Sequence, residues 1–457
     1  MEQDSTVSEY NKEVHTPESA QAPQNETQYL ETRDLVLVFL GFLMATLLIT
    51  LDQTIIATAL PQIVSHFNAL GDVTWVVTAY FLTQGGLILI TGQVLKVFPK
   101  KTIFLLSITL FETGSLICAL SHSMAQLIAG RAIAGCGAAG IQKSGPILGG
   151  TFTDKLTWRW CFWINLPCGA VAILLVIVFL KYHSRPNSGQ GTRSTNSWLR
   201  LDWIGGLLNL GFFTCLLLPV QWGGNTRPWN DAAVIALFVV AVVLLGAFLA
   251  WERYKGKEAM IPLEVLSRRT QIGCACGGAS SPFISYLVLM IATYYLPLWY
   301  QARGHSATRS GLDILPYLIA LVLAGAVSGG VVTKTGHYWW ILLLCPAITA
   351  VGAGLLFTLR IDTPGANLIG YQILYGVGIG VYFQNVLLVA QADYVDDEDM
   401  IPQASSFVTF CQLLGGIIGI AIFSNNLRKN LDLHAPNLTP ELKAAVLRSV
   451  SVIGMLP

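Results

Sequence analysis

The chain has 457 residues, of which 53% are hydrophobic and 12% are charged, and its formal net charge is +1. Soluble globular domains carry about 25% charged residues, so this composition excludes an ordinary soluble protein. The near-neutral charge gives no electrostatic footprint for nucleic acid. About twelve apolar stretches are long enough to cross a bilayer, which takes roughly 20 residues each. The sequence therefore predicts an all-α, multi-pass integral membrane protein.

Residues 1–34 differ from the rest of the chain. They contain eight acidic and two basic residues and no apolar run, a composition typical of a disordered tail. No signal-peptide apolar region precedes the first apolar span at 35–62, so we expect that span to start membrane insertion itself.

The predicted spans fall into three groups along the chain. An N-terminal bundle of five spans occupies 35–181, two linker helices occupy 201–251, and a C-terminal bundle of five spans occupies 271–457. The connectors between the groups, 181–200 and 252–269, are rich in Lys and Arg. The positive-inside rule therefore predicts that both connectors are cytosolic. The loop that contains Lys96, Lys100 and Lys101 is also basic and follows two spans, so we expect the N-terminal tail to be cytosolic as well.

Three ionisable residues lie inside predicted spans: Asp52, Glu112 and Arg131. Charged groups within a membrane are costly and are candidates for function, and a carboxylate in a cavity of low dielectric is suited to proton exchange. The alternatives are a structural ion pair or a side chain that reaches the interface. Asp202 and Asp313 lie at span borders, where helix capping is the favoured interpretation.

Two glycine-rich motifs follow Arg131. "GCGAAG" (135–140) matches GxGxxG, but that fingerprint requires a preceding strand. In a membrane span its small residues instead predict close helix packing. "GPILGG" (145–150), with Gly145, Pro146, Gly149 and Gly150, predicts either a kinked packing helix or a flexible element that controls access to a cavity.

Polar and aromatic residues inside the spans suit a cavity for neutral organic molecules. The candidates are Tyr80, Gln84, Tyr294, Gln384 and Asn385. Hydrogen bonds between helices are the alternative for Gln384 and Asn385. Trp299 and Tyr300, near a span end, are interpreted as interface anchors.

An internal repeat suggests two related bundles. "GQVLKVFPKKTIFLL" (92–106) and "GGVVTKTGHYWWILLL" (329–344) each follow the second span of a group and contain glycine, an aliphatic pair, a basic turn and a new span. Two bundles related by a repeat are a common transporter design.

The motifs "LDQTIIATALP", "RAIAGCGAAG", "GPILGG" and "WRWCFWINLP" together resemble the 14-helix drug:proton antiporter branch of the major facilitator superfamily, especially fungal toxin and multidrug efflux pumps. The resemblance covers about residues 35–457. It implies proton transfer roles for Asp52 and Arg131 and assigns the antiporter motif to the GPILGG glycines and proline. The loop motif after the second helix is only partly present, since its usual acid is absent.

The family plan of six, two and six helices exceeds the five, two and five visible here. We therefore expect that parts of the fourth and fifth helices are missing near Ile141–Ser144, and that the last helix is missing after Pro457. The alternatives for function are then a non-transporting, truncated product or an importer of the same fold.

The sequence predicts a transporter rather than an enzyme. It contains no nucleophile–base set, no metal-ligand spacing among its nine cysteines and no Walker motif, so we expect no cofactor, no metal and no ATP drive. The expected partners are a small-molecule substrate, protons and membrane lipid, and the expected state is a monomer. The plasma membrane is the favoured location, with a vacuolar or vesicle membrane as the alternative. Of two N-x-T sites, Asn25 lies in the tail and Asn437 is the predicted glycan site.

Overall fold

The computed structural model describes residues 73–141, 165–179, 201–224, 227–262, 281–303, 307–337, 339–360, 363–392 and 400–434, and scattered single positions, among them several between 41 and 67. The described residues form helices and contain no strand. The helices are α1 (Val73–Val97), α2 (Lys100–Ala119), α3 (Met124–Ile141), α4 (Asn165–Phe179), α5 (Trp203–Trp222), α6 (Ala232–Lys255), α7 (Pro282–Ala302), α8 (Ala307–Asp313), α9 (Leu315–Thr335), α10 (Trp339–Phe357), α11 (Gly365–Ala392) and α12 (Ile401–His434).

Eight of these helices contain segments long and apolar enough to cross a membrane, and three shorter apolar segments lie in α4, α7 and α10. The predicted class, an all-α multi-pass membrane protein, is therefore confirmed. The count of twelve spans extends into residues outside the described part of the chain, so it stays a prediction. α6 continues to Lys255, four residues into the predicted connector 252–269.

The helix pairs within the two bundles follow one pattern. In the first bundle, α3 packs against α1 and α2, and in the second, α11 packs against α9 and α10. Glycine makes the corresponding contact in both: a Cβ on Gly135 would collide with the carbonyl oxygen of Tyr80, and one on Gly376 would lie 2.5 Å from the carbonyl oxygen of Tyr317. This recurrence agrees with the internal repeat in the sequence.

The bundles meet along α1 and α12, and α5 packs against both of these helices. Phe213 of α5 contributes to this junction, its ring centroid lying 5.8 Å from that of Phe410 on α12. α6 packs against α5, and only 17% of its most apolar window is buried. The linker helices therefore form a hairpin, with α5 against both bundles and α6 facing outward.

Candidate functional site

The centre of the first bundle contains a buried ion pair. Arg131 Nη1 donates a hydrogen bond to Asp52 Oδ2 across 2.5 Å. Both residues are only 1% exposed. Charges so far from water are stable only when they are paired, so each side chain depends on the other. Two of the three residues that the sequence singled out for charge inside spans are thus brought into direct contact.

Two further contacts hold the arginine in α3. Its Nε donates to the backbone carbonyl oxygen of Val76 across 3.0 Å, and its guanidinium carbon lies 4.2 Å from the centre of the Tyr80 ring. Both partners belong to α1. The planar guanidinium can make an ion pair, a hydrogen bond and a ring contact together, which the point charge of lysine cannot.

The small residues of α3 allow this close approach. Beyond Gly135, a Cβ on Gly137 would lie 2.5 Å from the carbonyl oxygen of Ser107 on α2. Thr83 of α1 donates to the carbonyl oxygen of Ala132 across 2.8 Å. The close packing predicted from "GCGAAG" is therefore confirmed, and it fixes the position of the Arg131 backbone relative to α1 and α2.

The ion pair leaves one acceptor unused. Asp52 Oδ1 is buried and has no hydrogen-bond partner among the described residues. A proton arriving at this oxygen would neutralise the carboxylate and remove its attraction for Arg131.

Glu112 is the third ionisable residue that the sequence selected. It lies in α2, is 8% exposed, and neither of its carboxyl oxygens has a hydrogen-bond partner in the described part of the chain. A Cβ on Gly169 of α4 would collide with its carboxyl group. Glu112 is thus placed at the α2–α4 contact, while Arg131 bonds to Asp52 and α1.

The residues predicted to line a substrate cavity have separate locations. Tyr80 and Gln84 of α1 are fully buried, and Tyr80 lies beneath the Arg131 guanidinium. Asn385 of α11 is also fully buried and donates to Ser328 Oγ of α9 across 2.9 Å. This is the helix–helix bond named above as the alternative for Asn385. The side chains of Tyr294 and Gln384 lie outside the described residues.

A cavity of about 530 Å³ lies between α9, α10 and α11. The residues that line it are aliphatic or aromatic except for the polar Ser328 and the sulfur-containing Cys345. None of the predicted substrate-binding residues whose side chains the structure describes, Tyr80, Gln84 and Asn385, lines it. The remaining predicted site residues, Gly145, Pro146, Gly149, Gly150 and Asn437, fall outside the described residues.

Two interpretations of individual residues were wrong. Asp313 does not cap α9, because Ile314 occupies the N-cap position; the Asp313 carboxylate instead contacts His305 Nδ1 across 2.5 Å. Tyr300 is 4% exposed and accepts a hydrogen bond from Gln372 across 2.6 Å, so it is an internal residue rather than an interface anchor. Asp202 does cap its helix, as predicted: it accepts from the Gly205 amide.

Sequence reasoning missed the role of α1 in the site. Val76 contributes a backbone oxygen, which no side-chain pattern reveals. Tyr80 was selected for polarity, whereas it lies under the guanidinium as an aromatic ring. The signal was the spacing of four between Val76 and Tyr80, which places both residues on one face of a helix.

The sequence profile described as Major Facilitator Superfamily matches residues 42–142 and 144–420. The MFS-type transporter astH of Aspergillus oryzae is 36% identical over 474 residues, covering 95% of this chain and 83% of that protein. The MFS-type efflux pump MFS1 of Arthroderma benhamiae is 38% identical, covering 89% and 82%.

The aspyridones efflux protein of Neocamarosporium betae is 39% identical over 434 residues, covering 86% of this chain and 75% of that protein. Among solved structures, a bacterial homologue of the human lysosomal transporter Spinster, inward-facing and occupied, superimposes with a TM-score of 0.47 at 14% identity. That superposition covers 93% of this chain and 92% of the other.

Proposed function

Because the chain belongs to the Major Facilitator Superfamily, we propose that it exports small organic compounds across a membrane in exchange for protons. The family and the multi-pass fold make it a membrane transporter. Several relatives carry efflux in their names, which supports the outward direction. The substrate class, a toxin, secondary metabolite or drug, is the finer part of the proposal.

The buried pair of Asp52 and Arg131 is the observation that supports the proposal of proton coupling. An ionisable group inside a membrane protein commonly marks a proton or substrate pathway. Here the carboxylate has one oxygen bound to the guanidinium and one buried oxygen without a partner. Protonation at Oδ1 would weaken the pair. The helical segment that contains Asp52 would then be released from α3.

Glu112 is proposed as a second proton-binding group. Its two unpartnered oxygens are shielded by α4, so the neutral acid suits this environment better than the carboxylate. Tyr80 and Gln84, at the junction of the bundles, are proposed to meet the substrate when the bundles move apart. The antiporter motif at 145–150 and the residues Tyr294, Gln384 and Asn385 complete the proposed pathway.

The outward faces of the helices suit contact with lipid. Leu207 on α5, Val242 on α6 and Leu343 on α10 are between 68% and 73% exposed. Such apolar faces are expected on a protein whose surroundings are hydrocarbon. We propose a monomer in the plasma membrane.

The test uses sealed inside-out vesicles from cells that produce the chain. An acidic lumen should drive uptake of a lipophilic organic compound, and a pH-sensitive dye trapped inside should report proton exit that requires the compound. A protonophore should abolish both signals. Uptake that ignores the pH gradient would refute proton coupling, and preferential uptake by right-side-out vesicles would instead support import.

A second candidate, a non-transporting product, is supported by the alignments. The alignment with the Aspergillus oryzae transporter has 474 residues, more than the 457 of this chain, so it contains positions at which this chain has no residue. The family match is also interrupted at residue 143, within the junction expected from the sequence. The missing helix surface would leave the first bundle incomplete.

The two candidates are separated by inserting the corresponding segment of the Aspergillus oryzae transporter at residue 143. Export gained only by the longer chain would support the non-transporting candidate. Equal export by both chains would refute it. The amount of each chain in the membrane is measured in parallel, so that a difference in folding is not mistaken for a difference in transport.

A further inference from the structure

A pair of buried acids lies at the base of the linker hairpin, away from the Asp52–Arg131 site. Asp202 caps the start of α5, and Glu252 lies near the end of α6. Asp202 is 4% exposed and Glu252 is 1% exposed.

One oxygen of each carboxyl group is engaged by hydrogen-bond donors. Asp202 Oδ1 accepts from the Gly205 amide across 2.9 Å and from Trp251 Nε1 across 2.8 Å. Glu252 Oε2 accepts from the Ile261 amide across 2.7 Å. This last contact is possible because Gly256, with φ of 62°, turns the chain back after α6.

The other two carboxyl oxygens lie close to the same glycine, Gly205. Asp202 Oδ2 and Glu252 Oε1 are buried without a hydrogen-bond partner among the described residues. Both lie within 3.1 Å of the point that a Cβ on Gly205 would occupy. The two unpaired oxygens are therefore neighbours on one side of Gly205.

The described surroundings offer these oxygens no counter-charge. The nearby charged residues Lys255 and Glu258 pair with each other at 3.9 Å, and Arg253 is exposed. α1 and α12 present neutral amides to this region, from Gln93 and Gln403. The ionisable group beside Glu252 is Asp202, whose carboxylate carries a charge of the same sign.

We propose that Asp202 and Glu252 together bind one proton, which holds the linker hairpin against both bundles. Two carboxylates that share a dry site cannot both be ionised at low cost. Asp202 Oδ1 already accepts two hydrogen bonds at the start of α5, whereas Glu252 Oε1 is a free acceptor position. The proton therefore resides on Glu252 Oε1 and points toward Asp202 Oδ2.

The contacts around the pair connect it to both bundles. The Asp202 amide donates to Gln93 Oε1 of α1 across 3.0 Å, and Gln93 Nε2 donates to the Glu258 carbonyl oxygen across 2.9 Å. Gln403 Nε2 of α12 donates to the Ala259 carbonyl oxygen across 3.0 Å. Loss of the proton would place two negative charges side by side and loosen these contacts.

The position of the pair identifies the source of the proton. Asp202 follows the basic connector 181–200, and Glu252 precedes the second basic connector, both of which are predicted to be cytosolic. The site would then respond to cytosolic pH, and an acidic cytosol would keep the linker hairpin packed against both bundles. This role is independent of substrate export and can be tested without a transport assay.

The first experiment measures the Tm of the purified full chain in detergent from about pH 5 to about pH 9, a range in which buried carboxyl groups titrate. A group that keeps its proton in the folded state stabilises the protein at low pH, and this stability is lost as the pH rises past the point of deprotonation. The wild-type Tm should therefore fall with rising pH, by an amount on the order of 2–5 °C attributable to this pair.

Glu252→Gln and Asp202→Asn should both remove that part of the fall. In each variant the carboxamide oxygen can accept the existing hydrogen bonds, and the NH₂ group can face the remaining carboxylate. The matched control is Glu258→Gln, the same change at a 75% exposed side chain six residues away, which should keep the wild-type profile. Profiles of both variants that run parallel to the wild type would overturn the proposal.

A measurement on the wild type alone covers the case in which the variants do not fold. Hydrogen exchange, corrected for its intrinsic pH dependence, should show loss of protection with rising pH at the Gly205 and Ile261 amides, which donate to the two carboxyl groups. Amides in the middle of α11 provide the internal reference. Constant protection at Gly205 and Ile261 across the range would overturn the proposal.

Discussion

Replacing Asp52 with Asn tests how strongly the central ion pair holds the first bundle together. The change keeps the volume of the side chain but leaves Arg131 as a buried cation. Removing one partner of a buried pair costs about 3–5 kcal/mol. Arg131 retains the Val76 carbonyl oxygen and the Tyr80 ring, and Asn retains an acceptor oxygen. We therefore expect the lower end of this range, about 3 kcal/mol.

The assay is thermal unfolding of the purified chain, followed by intrinsic fluorescence in a single detergent at neutral pH. For a chain of this size, about 3 kcal/mol corresponds to a Tm decrease on the order of 3–6 °C. Arg131→Met should also lower the Tm. The double variant should recover most of the loss, because a neutral pair leaves no unpaired charge. This non-additivity is the signature of direct coupling.

The control is the exposed pair of Arg227 and Asp231, whose atoms approach to 3.2 Å with 47% and 28% of the side chains exposed. Asp231→Asn keeps the capping oxygen and should hardly change the Tm, because solvent and salt screen surface pairs. A Tm of Asp52→Asn equal to that of the wild type would refute the reasoning. So would single-variant losses that simply add in the double variant.

The remaining predictions concern three other features of the chain. Glu112→Gln should leave the Tm unchanged or raise it, because the buried carboxyl oxygens have no hydrogen-bond partners to lose. The same variant should reduce compound-dependent proton flux in vesicles. Unchanged flux would exclude Glu112 from proton coupling. Gly135→Ala should sharply reduce the amount of folded protein detected by size-exclusion chromatography, because the new methyl group would collide with the Tyr80 backbone. The control Gly246→Ala should be tolerated, because no atom lies within 4 Å of the position that its methyl group would occupy. Asn437 should carry a glycan removable by glycosidase, and an unchanged gel mobility would contradict this prediction.

The sequence predicted the membrane class and the buried charges because both rest on strong local signals. Long apolar stretches have few structural alternatives, and Asp52 and Arg131 stand out as charges inside such stretches. The tight packing of α3 was also predictable, because its glycines and alanines are adjacent in sequence. What could not be predicted was that Arg131 would bond to the backbone of α1 at Val76, since every residue has a carbonyl oxygen.

Glu252 illustrates the other limit. In sequence it begins a polar, basic stretch and has the pattern of an exposed helix end. Its burial results from the turn at Gly256 and from the return of Ile261 to its carboxyl group, a tertiary contact that leaves no periodic signal. The prediction for Asp313 was wrong for a similar reason: its position at a span border favoured a cap, but its carboxylate contacts the nearby His305 ring instead.

The proposed mechanism also has to satisfy an energetic condition at the central pair. Opening a buried ion pair while both groups stay charged costs about 3–5 kcal/mol. One proton moving down a gradient of one pH unit supplies about 1.4 kcal/mol, and a potential of about 100 mV adds about 2.3 kcal/mol. The two supplies together, about 4 kcal/mol, are comparable with that cost, so the proposal that a single proton at Asp52 opens the pair is energetically consistent. Arg131 also contacts Val76 and Tyr80 of α1, so the proposed mechanism predicts that α1 and α3 stay together while the helical segment that contains Asp52 moves.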